Sequence, residues 1–217
     1  EILLDEDNSR HIVQVLRMKE GEELLLTDGK GNLLTAAITG AAKKKCRVKV
    51  STAEVRPPPE RRVAIGISPV KNGARFEWFL EKATEVGVTE IIPLICDRTE
   101  RQQVRADRLQ NILVSAMLQS RQVWLPVLRP ATPFGEIVAA RNEGRRMIAW
   151  LGGGAHEPCP GPDPAASLIL IGPEGDFTGE EAAEAMDKGF IPVSLGHNRL
   201  RTETAGVVAA TLLCVPR

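Results

Sequence analysis

The sequence predicts an α/β protein with a small β domain in front of a larger domain of alternating strands and helices. Three observations lead there. The first quarter of the chain alternates apolar and charged residues. This pattern ends at three consecutive prolines, Pro57, Pro58 and Pro59. The remainder of the chain alternates short apolar runs with helical patterns. Consecutive prolines favour a stiff, extended spacer. We therefore predict one domain over residues 1–56 and a second over residues 62–217.

The first domain carries the signals of paired strands. Residues 23–27 and 33–38 are apolar runs joined by a turn that contains Asp28-Gly29, and this dipeptide between two such runs favours a hairpin. Residues 46–52 alternate apolar and charged side chains, as a half-buried strand does. Residues 8–18 have the pattern of a short helix.

In the second domain, strand and helix patterns follow one another. Such alternation predicts a mostly parallel sheet covered by helices. Thr178 and Glu181 form a capping-box pattern at the start of one helix, and Gly87 and Gly189 end two of them. Strands are predicted at residues 63–67, 90–95, 146–150, 167–171 and 191–195, and helices around residues 76–86, 109–117, 178–189 and 202–213.

The charge of the chain is balanced in number but uneven in position. Lysines and arginines number 28, as do aspartates and glutamates. Residues 41–62 nevertheless carry eight basic side chains and two acidic ones, whereas residues 157–187 carry acids and no bases. A basic face that meets a polyanion would explain this, and a charged strand edge that prevents aggregation would explain it equally.

Several classes of protein are disfavoured. No apolar run approaches the roughly 18 residues that span a bilayer, and no signal peptide opens the chain at Glu1. The cysteines and histidines lack the spacing of a zinc site or a disulfide framework. We expect a cytoplasmic protein that binds neither membrane nor metal and keeps its thiols reduced. The residues concerned are Cys46, Cys96, Cys159, Cys214, His11, His156 and His197.

Three predicted strand ends carry glycine-containing loops, at residues 150–154, 172–177 and 196–204. Ligands of open α/β sheets bind at the carboxyl ends of strands, and glycine lets the backbone approach a ligand closely. Each loop alone could be an ordinary turn, but three of them together favour a ligand cleft. The chain lacks the motifs of a P-loop, a nicotinamide Rossmann site and an α/β-hydrolase elbow.

The sequence of these loops resembles a known family. The runs at residues 170–175 (LIGPEG), 194–196 (SLG) and 200–205 (LRTETA) are similar to the signature of the RsmE family, SPOUT-class methyltransferases that modify a uridine of small-subunit ribosomal RNA at N3. The resemblance extends upstream to residues 76–88, to Gln119-Ser120 with Pro126, and to residues 11–18. It therefore covers nearly the whole chain.

The resemblance implies a fold and a cofactor. The first domain would be a PUA-like, RNA-binding β-barrel, whose first strand in relatives precedes Glu1. The second would be a SPOUT domain with a carboxy-terminal trefoil knot, paired in a homodimer whose S-adenosylmethionine pocket lies beside the subunit interface. Asp176 stands where many relatives have glycine. The residues expected to bind the cofactor are Leu151, Gly172, Glu174, Gly175, Leu195, Gly196, Leu200 and Thr202.

Methylation at uridine N3 requires an exposed base and removal of a proton. We expect Arg201 to stabilise negative charge on the uracil, and Glu203 to accept the proton or to orient a neighbour. Alternatives remain: Arg201 and Glu203 could simply pair, Glu203 could stabilise a helix end, and water could take the proton.

Ribosomal RNA, free or in an assembled small subunit, is the expected partner. Basic side chains attract phosphates without reading sequence, although a solvated surface would carry them too. Two other functions stay open, namely a non-catalytic ribosome-assembly factor and a ribose 2′-O methyltransferase. The candidate RNA-binding residues are Arg17, Lys43, Lys44, Lys45 and Arg98.

Overall fold

The computed structural model describes residues 1–100, 105–140, 144–153, 156–163 and 166–215. The chain forms two compact units, Glu1–Pro58 and Pro59–Arg217, and the division falls inside the proline run. Each unit builds its own hydrophobic core.

The first unit is a four-stranded antiparallel sheet in the order β1-β4-β3-β2. Alternate residues of the strands point to one face, where they pack against Ile12. The core of this unit consists of Ile12, Ala36, Ile38, Cys46 and Val48. The strands are β1 (Ile2–Leu3), β2 (Glu23–Thr27), β3 (Asn32–Ala42) and β4 (Lys45–Val55).

The predicted hairpin between β2 and β3 is present. The Asp28 carboxylate accepts hydrogen bonds from the backbone N–H of Lys30 at 2.8 Å and from Nδ2 of Asn32 at 2.6 Å, which closes the turn. Strands β3 and β4 are longer than their apolar patterns indicated, because backbone pairing continues from Asn32–Val55 to Ala42–Lys45 through polar residues.

The helix expected at residues 8–18 differs from the structure. Helix α1 (Glu6–Arg10) begins earlier, since the Asp5 side chain accepts a hydrogen bond from the N–H of Asn8 at 2.8 Å and caps it. A π-helical turn (His11–Val15) follows. The chain then turns at Arg17, whose φ of 56° is incompatible with continued helix.

The second unit contains an eight-stranded parallel sheet. Its order is β10-β12-β9-β11-β5-β6-β7, with β8 also pairing with β6. All five predicted strands are present, and their ends differ from the predicted ends by at most one residue. The α/β prediction is therefore confirmed. The strands are β5 (Val63–Ile67), β6 (Glu90–Ile95), β7 (Val127–Leu128), β8 (Thr132–Pro133), β9 (Arg145–Ala149), β10 (Glu157–Pro158), β11 (Ser167–Ile171) and β12 (Ile191–Ser194).

Helices cover both faces of this sheet. The odd-numbered positions of β5 and β11 pack with α2, α3 and α6, while the even-numbered positions pack with α4 and α5. Helix α4 has no counterpart in the sequence prediction, since its seven residues give too short a periodic pattern. The helices are α2 (Gly73–Val86), α3 (Ala106–Gln119), α4 (Phe134–Ala140), α5 (Gly179–Asp187) and α6 (Thr202–Cys214).

Helix α6 lies very close to the sheet and to α2. A Cβ atom added at Gly206 would be 2.6 Å from the Phe79 ring and 2.7 Å from Cδ1 of Ile67. Phe79 is fully buried. Glycine at this position therefore permits the approach that brings the amino-terminal end of α6 to the carboxyl edge of the sheet.

The capping box of α5 is confirmed and has an additional contact. Oγ1 of Thr178 accepts from the N–H of Glu181 at 3.1 Å, and Oε2 of Glu181 accepts from the N–H of Thr178 at 2.9 Å. Oε1 of Glu181 accepts from the N–H of Asp97 at 2.9 Å. This buried carboxylate thus joins α5 to the segment after β6. Within the residues described, no helix has the length and apolarity needed to cross a membrane.

Candidate functional site

Strands β12, β9 and β11 are neighbours in the sheet, so the loops that follow them meet at one edge. Together they enclose a cleft of about 380 Å³. The sheet order therefore turns three separate sequence segments into one site. The lining residues are Ala149, Trp150, Leu151, His156, Ile171, Gly172, Pro173, Glu174, Asp176, Val193, Ser194, Leu195, Gly196, Asn198, Arg199, Leu200, Arg201, Thr202 and Ala205.

Seven of the eight residues expected to bind a cofactor line this cleft. The eighth, Gly175, is not among the lining residues. Its carbonyl oxygen accepts a hydrogen bond from Nη1 of Arg98 at 2.7 Å. The seven lining residues are Leu151, Gly172, Glu174, Leu195, Gly196, Leu200 and Thr202.

The loop after β9 is organised around Trp150. The Trp150 ring lies edge-on to the imidazole of His156, with centroids 6.0 Å apart. A Cβ atom at Gly152 would collide with the indole of Trp150, which explains one glycine of this loop by close packing. Gly154, which the sequence placed in the same loop, lies outside the described residues.

The loop after β11 is a tight turn. The N–H of Asp176 donates to the carbonyl of Pro173 at 2.9 Å, and Asp176 itself has a φ of 61°. Its carboxylate accepts from the N–H of Phe177 at 2.8 Å and from the N–H of Leu151 at 3.0 Å. Asp176 therefore connects the loop after β11 with the loop after β9.

The loop after β12 supplies both polar and apolar lining. Oγ of Ser194 donates to the carbonyl of Gly196 at 3.0 Å, which bends the chain immediately after the strand. Side chains of Val193, Leu195 and Ile171 contribute apolar surface. The cleft thus combines an apolar interior with exposed backbone groups, a combination typical of small-molecule sites.

Arg201 and Glu203 occupy different positions at the start of α6. Arg201 is the N-cap residue, is exposed and lines the cleft. Glu203 lies in the first turn of α6, and its side chain is only 7% exposed. Pairing of Arg201 with Glu203 was one alternative left open by the sequence; in the structure, Oε1 of Glu203 lies 3.7 Å from Nε of Arg75.

Arg75 projects from the first turn of α2 towards two acidic residues. Its Nη1 atom lies 4.0 Å from Oε1 of Glu174, in the loop after β11, in addition to its contact with Glu203. Oε2 of Glu203 is buried and has no hydrogen-bond partner among the residues the structure describes. Arg75 thus partly compensates a buried carboxylate and places one cation between two elements of the site.

The candidate RNA-binding residues are distributed over both units. Lys43 and Lys44 form the turn between β3 and β4, Lys45 begins β4, and all three are exposed. Nζ of Lys44 lies 3.3 Å from Oε1 of Glu6. Arg17 is also exposed. In the second unit, Arg98 is exposed but bound through its guanidinium to the Gly175 carbonyl.

Sequence reasoning missed several residues of the site. Arg75 lies about 100 positions or more before the residues it contacts, so no local pattern could reveal it. Asp176 could have been found, because aspartate tolerates the left-handed backbone that such turns require. Trp150, Asn198 and Arg199 line the cleft and lie in the predicted loops, although none was assigned to the cofactor, whereas His156 lies outside those loops.

Comparison with known families agrees with both units. Residues 57–214 match the model of an RNA methyltransferase domain. Residues 4–51 match the model of an RNA methyltransferase PUA domain. The predicted combination of a PUA domain with an RNA methyltransferase domain is thereby confirmed.

Individual relatives extend this result. The chain is 30% identical over 207 residues to the ribosomal RNA small subunit methyltransferase E of Synechocystis, with 92% of the chain and 68% of the relative covered. It resembles the crystal structure of a probable rRNA-methyltransferase from Porphyromonas gingivalis, at 41% identity and a TM-score of 0.87 over 96% of this chain and 90% of that one.

A third relative contains a ligand. It is a ribosomal RNA small subunit methyltransferase E from Neisseria gonorrhoeae, solved with S-adenosyl methionine, and is 31% identical with a TM-score of 0.79 over 96% of this chain and 89% of that one. The matching domains, the identities and the near-complete coverage lead to one conclusion: the chain belongs to the ribosomal RNA small subunit methyltransferase E family of RNA methyltransferases.

Proposed function

We propose that this protein transfers a methyl group from S-adenosylmethionine to N3 of a uridine in small-subunit ribosomal RNA. The observation that carries the proposal is the single cleft formed where the loops after β9, β11 and β12 meet. Family membership supports the methyltransferase reaction, and the cleft supplies a place for it.

The residues of the cleft suit the cofactor. Apolar side chains such as Ile171 and Leu195 can pack against an adenine ring, and the backbone at Gly172 and Gly196 can approach the ribose and the adenine edge. The carboxylate of Glu174 offers an anionic group to the cationic part of the ligand. When bound, S-adenosylmethionine supplies an electrophilic methyl group on a sulfonium.

Arg201 is the residue we assign to the uracil. Its side chain is exposed at the cleft, where a positive charge stabilises the negative charge that develops on the base as N3 loses its proton. Because uridine N3 normally faces a pairing partner, the nucleotide has to leave the stack before it enters the cleft.

Glu203 fits the role of an orienting group better than that of a proton acceptor. It is buried and bound to Arg75, so its carboxylate fixes the first turn of α6 and, with it, the N-cap position of Arg201. The proton from N3 then passes to water. Thr202 and Leu200, which flank Arg201, complete this side of the cleft.

Basic residues of both units would attract the phosphates of the RNA. The exposed turn at Lys43, Lys44 and Lys45, together with Arg17, gives the PUA unit a positive surface for phosphates. Arg98 lies beside the loop after β11 and would contact RNA near the cleft. The substrate is free ribosomal RNA or an assembled small subunit, which would place the protein in the cytoplasm.

The proposal includes a homodimer and a trefoil knot in the second unit. The partly exposed apolar side chains of helix α6 include Val207, Val208 and Leu212, which offer a surface for a second copy beside the cleft. Sedimentation equilibrium tests the dimer: a mass near 47 kDa, twice the 23.6 kDa chain, is expected, and a monomer at all concentrations would contradict it.

The reaction is tested by incubating small subunits and free ribosomal RNA with methyl-labelled S-adenosylmethionine and mapping the product by mass spectrometry. We expect 3-methyluridine at one position, and we expect Arg201→Ala to reduce its formation. A methyl group on a ribose oxygen would instead establish 2′-O methylation. No incorporation, with RNA binding intact, would favour a non-catalytic assembly factor.

A further inference from the structure

We propose that Asp176 is a positioning residue that holds the loop after β9 against the loop after β11, and that this link sets the affinity for the cofactor. The proposal rests on the proposed function, since it concerns the same cleft. It assigns to Asp176 a role separate from those of the residues that contact the uracil.

The geometry of Asp176 makes it a bridge between two backbone segments. Its Oδ1 atom accepts from the N–H of Phe177 at 2.8 Å, within its own loop. Its Oδ2 atom accepts from the N–H of Leu151 at 3.0 Å, across the cleft edge and 25 positions earlier in the chain. One carboxylate therefore fixes both sides, and hydrogen bonds to an ionised acceptor are stronger than neutral ones.

The loop after β9 depends on such a link. Leu151 is 63% exposed, so packing contributes little to its placement, yet it lines the cleft. Trp150, the residue before it, packs against the core, and the hydrogen bond to the half-buried Asp176 side chain fixes the backbone of Leu151 itself. Asp176 is half-buried, and Phe177, which follows it, is buried against Phe134.

The backbone conformation at Asp176 does not itself require aspartate. A φ of 61° is uncommon for residues with a Cβ atom; aspartate tolerates it better than most, and glycine adopts it without strain. The turn itself is closed by the N–H of Asp176 and the Pro173 carbonyl, which glycine could also provide. The aspartate at this position thus contributes its carboxylate despite a less favourable backbone conformation.

The variant Asp176→Gly tests the role of the carboxylate, because glycine removes the side chain and can keep the backbone conformation of the turn. Glycine relieves the strain of the positive φ but removes two hydrogen bonds, so these effects oppose one another and the thermal unfolding temperature should change little. Affinity for S-adenosylhomocysteine, measured by titration calorimetry, should fall about tenfold or more, as expected for loss of one charge-assisted hydrogen bond. Exchange of the Leu151 amide hydrogen, measured by NMR, should become faster.

Two further variants act as controls. Asp176→Asn keeps an acceptor oxygen and tolerates the left-handed backbone, and should bind more tightly than Asp176→Gly. Arg121→Gly relieves a similar φ of 56° in the turn after α3, at a residue that does not line the cleft. It should change stability without changing affinity.

The outcomes separate the inference from the function it rests on. Absence of binding by the unchanged protein would overturn the proposed cofactor and the inference together. Equal affinities of the unchanged protein and Asp176→Gly would overturn only the positioning role. An affinity of Asp176→Asn as low as that of Asp176→Gly would also overturn it, because the charge alone would then account for the loss.

Discussion

Nε of Arg75 lies 3.7 Å from Oε1 of Glu203, and Nη1 of the same guanidinium lies 4.0 Å from Oε1 of Glu174. These contacts join the first turn of α2 to the first turn of α6 and to the loop after β11. Glu203 is buried while Arg75 is 39% exposed, so the pair is asymmetric: removing the cation would leave a buried anion.

Replacement of Glu203 by glutamine should lower the single-turnover methylation rate and leave cofactor affinity nearly unchanged. In the proposed mechanism, Glu203 positions Arg201 near the base, whereas the cofactor would contact the loops after β9, β11 and β12. Single-turnover kinetics and titration with S-adenosylhomocysteine measure the two effects separately.

Glu203→Asp serves as the comparison, because it keeps the negative charge that faces Arg75 and should retain more activity than glutamine. A methylation rate that is the same in Glu203→Gln and the unchanged protein would remove this residue from the mechanism.

Simultaneous replacement of Lys43, Lys44 and Lys45 by alanine should weaken RNA binding and flatten its dependence on salt. For every phosphate that the variant no longer binds, the slope of log K against log salt should become shallower by about 0.7 to 0.9. Binding measured by fluorescence anisotropy at several salt concentrations gives the slope directly.

Lys188→Ala provides the control for this experiment. Lys188 is exposed at the end of α5, in the other unit, and its removal should leave the slope unchanged. If the triple variant kept the slope of the unchanged protein, the turn between β3 and β4 would face solvent rather than RNA.

Gly206→Ala should destabilise the protein, because the added methyl group would overlap Phe79 and Ile67. Overpacking of this kind costs about 1–3 kcal/mol, which urea denaturation would detect. Gly179→Ala is the matched control: Gly179 is the first residue of α5, and nothing lies within 4 Å of its added Cβ. The control should be neutral or stabilising, and the opposite order of stabilities would refute close packing of α6.

Stability should decline as pH rises from about 9 towards 11, and Cys214 should contribute. Burial raises the pKa of the Cys214 thiol to about 11, although Arg61 opposes the shift. In the unfolded chain the thiol ionises near 9.0, so above that pH unfolding releases a proton that the folded state retains. Alkaline pH therefore favours the unfolded state.

Denaturation of Cys214→Ala over the same pH range tests this contribution. The variant should lose stability less steeply between pH 9 and 11 than the unchanged protein, whatever its stability at pH 7. Identical slopes would show that the Cys214 thiol does not contribute.

Much of the fold could be predicted from the sequence, because local patterns determine local structure. The strands at β5, β6 and β11 follow from short runs of buried apolar residues between turn signals. The capping box at Thr178 and the glycine after α2 mark helix ends through their own backbone chemistry. The two-residue strands and α4 escaped prediction, since their segments are too short to show a period.

The sequence by itself determined the two-part α/β architecture. It also contained the family signature and three glycine-containing loops at strand ends where ligands usually bind. Only the tertiary structure decided which distant groups meet. The order β12-β9-β11 brings the loops into one cleft, Arg75 reaches Glu203 and Glu174, and Asp176 binds Leu151. Secondary structure arises from neighbouring residues and can be recognised in a short window, whereas these contacts join residues far apart in the chain and exist only once the sheet is assembled.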